Sequence, residues 1–198
     1  MKINWAERLM VNSPVRIVVQ RLLIRWFKKN TFLKPGAKIL EVGCGRGAGA
    51  AMLLKGFAPA LLHAMDLDLR MIRQAQDYLP PQQNDIFLYV GDVLHLPYPD
   101  ATMDAVFGFG VLHHLPDWPG GLGEIARVLK PGGQYFLEEF YPPFYQNFIA
   151  RRIFLHPEKD RFHSADLHQA LKAAGFTWRG ILECPLVGVL GVAIKEEA

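Results

Sequence analysis

Three short apolar runs in this chain each end in residues suited to holding a nucleoside. The run Ile39-Leu-Glu-Val42 leads into the glycine turn Gly43-Cys-Gly-Arg-Gly47. The run Leu61–Met65 leads into Asp66, and Ile86–Val90 leads into Gly91-Asp92. Glycines let a ligand lie against bare backbone. A carboxylate after the second run can accept hydrogen bonds from two ribose hydroxyls. A carboxylate after the third can accept from an adenine amino group. Glu41 stands two residues before the first glycine, where its charge repels a pyrophosphate and suits an ammonium or a sulfonium.

The elements that must position these residues alternate. Lys38–Val42, Leu61–Met65, Ile86–Val90, Asp104–Gly108 and Gln134–Glu138 read as strands. Helices read over Gly47–Lys55, from Asp68 as N-cap to about Tyr78, and around Gly123–Leu129, with Trp118-Pro119 as a helix start. Lys130-Pro131-Gly132-Gly133 reads as a turn into the fifth strand. Such alternation argues a parallel sheet with helices on both faces and ligands at the carboxyl ends of the strands. A helix over Ser164–Ala174 is followed by strands Phe176–Glu183 and Leu186–Lys195, joined by a tight turn at Pro185. A hairpin is antiparallel, so the sheet finishes with one reversed strand.

At 198 residues, one domain with a small appendage is expected. Residues 1–34 read as an N-terminal helical arm and 35–198 as the main domain, with 141–163 as an insertion rich in Pro, aromatics and Arg. Val15, Val18, Val19, Leu22, Leu23 and Trp26 follow helical spacing, which predicts that this stripe packs the arm against the domain. Ser13 suits an N-cap and Pro14 a first turn. Residues 1–30 carry seven Lys/Arg against Glu7 alone, while the whole chain is only +3. The basic character therefore sits in the arm. Cys44 and Cys184 form no metal spacing, and they read as reduced thiols of a cytoplasmic protein with no metal site.

The glycine turn with Asp66 also satisfies the loose dinucleotide pattern, so an NAD(P)-dependent oxidoreductase is one reading. Glu41, Asp92 and three further segments weigh against it. These are Gly91-Asp-Val-Leu-His-Leu-Pro-Tyr-Pro-Asp100, Val111-Leu-His-His114 and Glu124-Ile-Ala-Arg-Val-Leu-Lys-Pro-Gly-Gly133. Together they resemble the class I S-adenosylmethionine-dependent methyltransferases, close to the ubiquinone/menaquinone C-methyltransferase group. The resemblance covers residues 36–139 well and 164–195 loosely. It implies a Rossmann-like three-layer α/β sandwich with a seven-stranded, mostly parallel sheet and the last strand antiparallel. It also implies S-adenosylmethionine as cofactor, S-adenosylhomocysteine as product and a small-molecule acceptor. Glu41, Gly43, Cys44, Gly45 and Gly47 would line the methionine end. Asp66 would hold the ribose, with Leu67 and Met71 flanking the adenine. Asp92 would take the adenine amino group, with Val93 beside the ring. Phe109 and Gly110 would close over the sulfur, on a floor more apolar than many relatives have.

In-line displacement at a sulfonium methyl needs alignment and exclusion of water, and a base only where the acceptor must lose a proton. His113, His114 and Glu138 are the candidate bases, with Glu139 and His163 behind them. Glu138 and Glu139 point to opposite faces of a strand, so only one can face a pocket. Tyr141, Tyr145, Arg151 and Arg152 are the substrate-side candidates, suited to a flat or lipid-like acceptor with an acidic group. The basic arm, residues 1–34, could form a substrate cover together with the insertion, or its residues 14–29 could make peripheral contact with an anionic membrane, although packing on the domain explains the stripe more simply. Nucleic-acid binding is not expected, because no basic stripe lies beside the presumed pocket. A binding module that performs no methyl transfer is the alternative from outside the enzymes.

Overall fold

The computed structural model describes residues 13–79, 85–145 and 161–197. Seven strands form one sheet: β1 Lys38–Val42, β2 Leu61–Asp66, β3 Ile86–Val90, β4 Met103–Phe109, β5 Leu129–Phe140, β6 Phe176–Cys184 and β7 Gly188–Lys195. The helices are α1 Pro14–Lys29, α2 Ala48–Phe57, α3 Leu69–Tyr78, α4 Trp118–Val128 and α5 Ser164–Ala173. The single turns Leu112–His114 and Pro142–Tyr145 are also helical. The strand order is β3-β2-β1-β4-β5-β7-β6. β1 to β5 are mutually parallel, and β7 is antiparallel to both β5 and β6. The order reverses between β1 and β4, so the turns after these two strands diverge and leave a crevice at their carboxyl ends.

Local chemistry accounts for most boundaries. Ser13 Oγ accepts from Arg16 N–H and Pro14 opens α1. Asp68 caps α3 by accepting from Arg70 N–H, and Asp117 caps α4 by accepting from Gly120 N–H. One expected helix shifts: α4 stops at Val128, and Leu129 already pairs with Met103 as the first residue of β5. The segment Lys130–Gly133 is an irregularity within β5 rather than a turn before it. The register passes from Met103↔Leu129 to Ala105↔Gln134, with Gly132 at φ +73° absorbing the extra residues.

Two apolar layers sandwich the sheet. Leu40, Val42, Tyr135 and Leu137 face α4 and α5. Ile39, Phe107, Phe109 and Phe136 face α1 and α2. The expectation for α1 is corrected here. The helix packs through Gln20, Ile24 and Phe27, with Leu23 and Trp26 beside them, while Val15, Val18, Val19 and Leu22 are exposed. Its docking face is thus rotated from the stripe that spacing suggested. The cause is aromatic: Phe27 is fully buried, with ring centroids 5.3 Å from Phe136, 6.0 Å from Phe107 and 6.1 Å from Phe109. Helix α1 therefore joins the core through Ile24 and Phe27. Replacing Phe27 with Ala should destabilise the fold by about 3–5 kcal/mol, the range for emptying a buried aromatic site. Denaturant unfolding would show it as a lowered midpoint at unchanged slope.

Candidate cofactor and active site

The carboxyl ends of β1, β2, β3 and β4 surround a cleft that is open to solvent on one side. Its lining includes Gly43, Gly45, Asp66, Leu67, Asp92, Val93, Phe109 and Gly110 from the sequence-predicted set. It also includes Met65, Asp68, Gly91, Val111, His114 and Leu115. Of these, only His114 and Asp68 had been singled out from sequence, as a candidate base and a helix cap. The signal for the rest was present: Met65 and Gly91 end strands, and Val111 and Leu115 belong to the turn that follows Gly110.

The floor is a backbone turn held by one carboxylate. Asp66 Oδ2 accepts from Gly45 N–H at 3.0 Å and Oδ1 from Asp68 N–H at 2.9 Å. One carboxylate thus ties the β1–α2 turn to the β2–α3 turn. An ionised carboxylate has about four acceptor sites, so these bonds leave capacity for a ligand hydroxyl. Burial pushes the Asp66 carboxyl up, against the pull of those N–H groups. Asp92 Oδ1 accepts from Leu94 N–H at 3.0 Å. Gly43 is bare for a reason, because a Cβ there would stand 2.7 Å from Val111 Cγ2 on the opposite wall.

The remaining members of the predicted cofactor set lie behind the lining. Gly47, at φ +86°, is the cap of α2 and packs on Ala75 and Leu79 of α3. Cys44 is buried in the α2-side core, and burial raises its thiol further from ionisation. Met71 is buried in α3. Glu41 is buried at 1% exposure, with its side chain against Gly49 of α2, where a Cβ would collide with Oε1. Its Oε2 has no hydrogen-bond partner. Desolvation, then the charge of Asp66, pushes this carboxyl from 4.5 up to about 8.

Neither strand-end glutamate of β5 reaches the cleft. Glu138 turns to the α1 side, where Arg16 donates to both carboxylate oxygens, the longer bond being 2.7 Å. Glu139 turns the other way, is 1% exposed, and accepts from the N–H groups of Val111, Leu112 and His113 at 2.8–3.2 Å. Its Oε2 also meets His113 Nδ1 at 2.7 Å. His113 is buried beside Tyr145, with stacked rings 5.6 Å apart, whereas His114 lines the cleft. His163 caps α5.

On the substrate side, Tyr145 is buried, and desolvation raises its phenol to about 12. Tyr141 is also buried, and its hydroxyl donates to Glu183. Arg151 and Arg152 lie outside the described residues. Arg161, which sequence reading missed, donates to the carbonyls of His113 (2.6 Å) and Leu115 (3.0 Å), so the end of the insertion grips the cleft loop. No group of three or more His, Cys, Asp or Glu suited to a metal occurs among the described residues.

Residues 40–137 match the methyltransferase domain family. This chain carries a methyltransferase domain. The chain is 34% identical over 157 residues to a sterol 24-C-methyltransferase of Gibberella zeae, covering 74% of this chain and 41% of that protein. It is 38% identical over 111 residues to a demethylmenaquinone methyltransferase of Corynebacterium kroppenstedtii, covering 56% and 44%. The chain thus spans less than half the length of these curated relatives. The partner chain in a solved complex with the Haloferax volcanii Trm112 methyltransferase activator has the same fold, with a TM-score of 0.79 at 19% identity over 98% of this chain and 95% of that one. The cofactor of the family is S-adenosylmethionine, and the residues fit it. Asp66 and Asp92 stand at two strand ends with acceptor capacity to spare, and the orphaned, buried Glu41 Oε2 is an acceptor suited to a cation.

Two outcomes test this site. Asp66→Ala should weaken S-adenosylhomocysteine binding more than tenfold by calorimetry, since hydrogen bonds to a charged acceptor are lost. Glu41 gives a pH signature. Its folded pKa of about 8 lies above its ordinary 4.5, so the folded state keeps a proton that the unfolded state has released. Its contribution to stability is full below about pH 4.5 and is lost as pH rises through about 8. The melting midpoint of the ligand-free protein should therefore fall between pH 5 and 8, and Glu41→Gln should flatten that fall. Equal slopes in both proteins would refute the assignment.

Proposed function

We propose that this domain transfers a methyl group from S-adenosylmethionine to a small apolar acceptor, quinol-like or lipid-like. We further propose that α1, residues 14–29, rests on an anionic membrane surface. The carrying observation is the cleft lining, which joins the carboxylates of Asp66 and Asp92 to the apolar side chains of Phe109, Val111 and Leu115. When bound, the cofactor supplies an electrophilic methyl on a sulfonium. The chain aligns it. Asp66 and Asp92 hold the nucleoside, and the Gly43–Gly47 turn lies against its chain. The apolar walls exclude water from the reacting centre, which strengthens the electrostatics there. Orientation of this kind is worth about 7–11 kcal/mol.

The structure supports a sparing use of base catalysis. Glu138 and Glu139 are both committed, one to Arg16 and one to three backbone N–H groups and His113. Drawing either into proton transfer would disrupt an element of the fold. The acceptor favoured is one whose nucleophile is already electron-rich: an ionised oxygen releases no proton, whereas a quinol carbon must release its ring proton once the methyl has been transferred. His114 is the imidazole at the cleft and the group placed to take a proton if one must leave.

The relatives' names support an apolar acceptor, since one is named for a sterol and one for demethylmenaquinone. The exposed Val15, Val18, Val19 and Leu22 support the membrane contact. No helix among the described residues is long and apolar enough to cross a membrane, so the contact is in-plane. The test is radiolabelled methyl transfer to quinols, sterols and fatty acids dispersed in detergent. Label should enter one of these classes and not polar amines or nucleic acid. Transfer to none of them, with cofactor binding intact, would leave a binding module.

A further inference from the structure

The exposed apolar face of α1 continues onto a second element. At about 100° per residue, the buried positions Gln20, Ile24 and Phe27 form one sector of α1. Arg21, Arg25 and Lys28 form a cationic sector next to it on the α2 side, where Ile24 and Lys28 approach Gly56. The exposed Leu22, Val15 and Val19 form the outward sector, with Val19 turned furthest toward the remaining flank. That flank meets β6, because Asn30 at the end of α1 packs against Gly180. Two residues further along β6, Leu182 lies on the same face of the sheet and is 55% exposed. Beyond it, the β6–β7 turn exposes Leu186 at 71% and Val187 at 43%.

Both elements are anchored beside the cleft. Arg16 of α1 is paired with Glu138, and the Val187 carbonyl accepts from Tyr141 N–H at 3.0 Å. Glu138 and Tyr141 bracket the carboxyl end of β5, where Gly110 of the cleft donates its N–H to the Glu138 carbonyl at 2.7 Å. The helix and the hairpin tip are therefore both tied to the carboxyl end of β5, next to Gly110 of the cleft wall. Its charge is one-sided. Residues 13–40 contain seven Lys/Arg and no Asp or Glu. The nearby carboxylates of Glu138 and Glu183 are engaged, by Arg16 and by Tyr141 with His168.

We propose that the β6–β7 hairpin tip is a second bilayer-contact element, which inserts beside α1 and seats the mouth of the cleft against an anionic lipid surface. It rests on the reading of α1 as a membrane-contact helix. One apolar helix face leaves a protein free to roll on a bilayer. A second apolar prong, placed across the edge of the sheet, fixes its orientation. An apolar acceptor would then pass from the lipid to the cleft without crossing water. The cationic sector supplies the attraction to anionic headgroups, and the apolar side chains supply the depth.

Cys184 provides the probe. It is exposed two residues before Leu186, while Cys44 is buried with its thiol held away from ionisation. An environment-sensitive maleimide on Cys184 should shift to the blue with vesicles of phosphatidylcholine plus phosphatidylglycerol, and not with phosphatidylcholine alone. Leu186→Ser with Val187→Ser should lower partition onto the mixed vesicles by about tenfold, the scale of losing two partly buried apolar side chains. The melting shift with S-adenosylhomocysteine should stay unchanged in that variant. A dye that does not respond while the protein still sediments with vesicles, and loses that binding in Val18→Glu with Leu22→Glu, overturns the hairpin and leaves the α1 reading standing. No vesicle binding by the wild-type chain overturns both and leaves methyl transfer untouched. A blue shift that instead follows protein concentration without lipid identifies a second copy as the occupant and also overturns the proposal.

Discussion

Backbone N–H groups at the carboxyl edge of a parallel sheet lose their ladder partners where the strands turn, and buried ones must be satisfied some other way. Here carboxylates do it. Asp66 takes Gly45 and Asp68, Asp92 takes Leu94, and Glu139 takes Val111, Leu112 and His113. The turns that build the cleft are thus shaped around negative charge. The dependence runs both ways: without these acceptors the turns would have to reach water, and without the turns the carboxylates would not tolerate burial. Glu41 is the exception, because its buried Oε2 lacks any such donor.

The division between Asp66 and Glu139 explains how far the site was legible. Asp66 and Asp92 follow short apolar strands at regular distances from a glycine turn, and position alone assigns them to the crevice. Glu138 and Glu139 are adjacent, and strand alternation says only that they diverge. Which one serves which face depends on Arg16, which lies 122 residues away in sequence, and on a turn formed after β4. No local pattern encodes those pairings. Arg161 was missed for the same reason, since its partners are carbonyl oxygens, which carry no residue signature.

The fold was legible wherever one local rule acted alone. Ser13, Asp68 and Trp118-Pro119 mark helix starts because caps need only their own turn. The hairpin after Cys184 follows from two strands too close in sequence for a crossover. α1 was misread because it offers two apolar stripes, and periodicity cannot rank them. Val15, Val18, Val19 and Leu22 form the more regular one. Phe27 decides the matter through its fit among Phe107, Phe109 and Phe136, which only the assembled core displays.

That second stripe has a consequence for how α1 is held. A helix with a buried aromatic anchor near its end, and an ion pair to the sheet near its start, cannot also leave the domain to cover a substrate. Phe27 and Arg16 fix it at both ends. Moving α1 would expose a core aromatic and separate a nearly buried guanidinium from its carboxylate, each a large penalty. α1 is therefore a fixed wall rather than a lid. Beside that wall, Val15, Val19, Leu182 and Leu186 are exposed, a surface that suits the proposed apolar acceptor arriving from lipid better than one arriving from water.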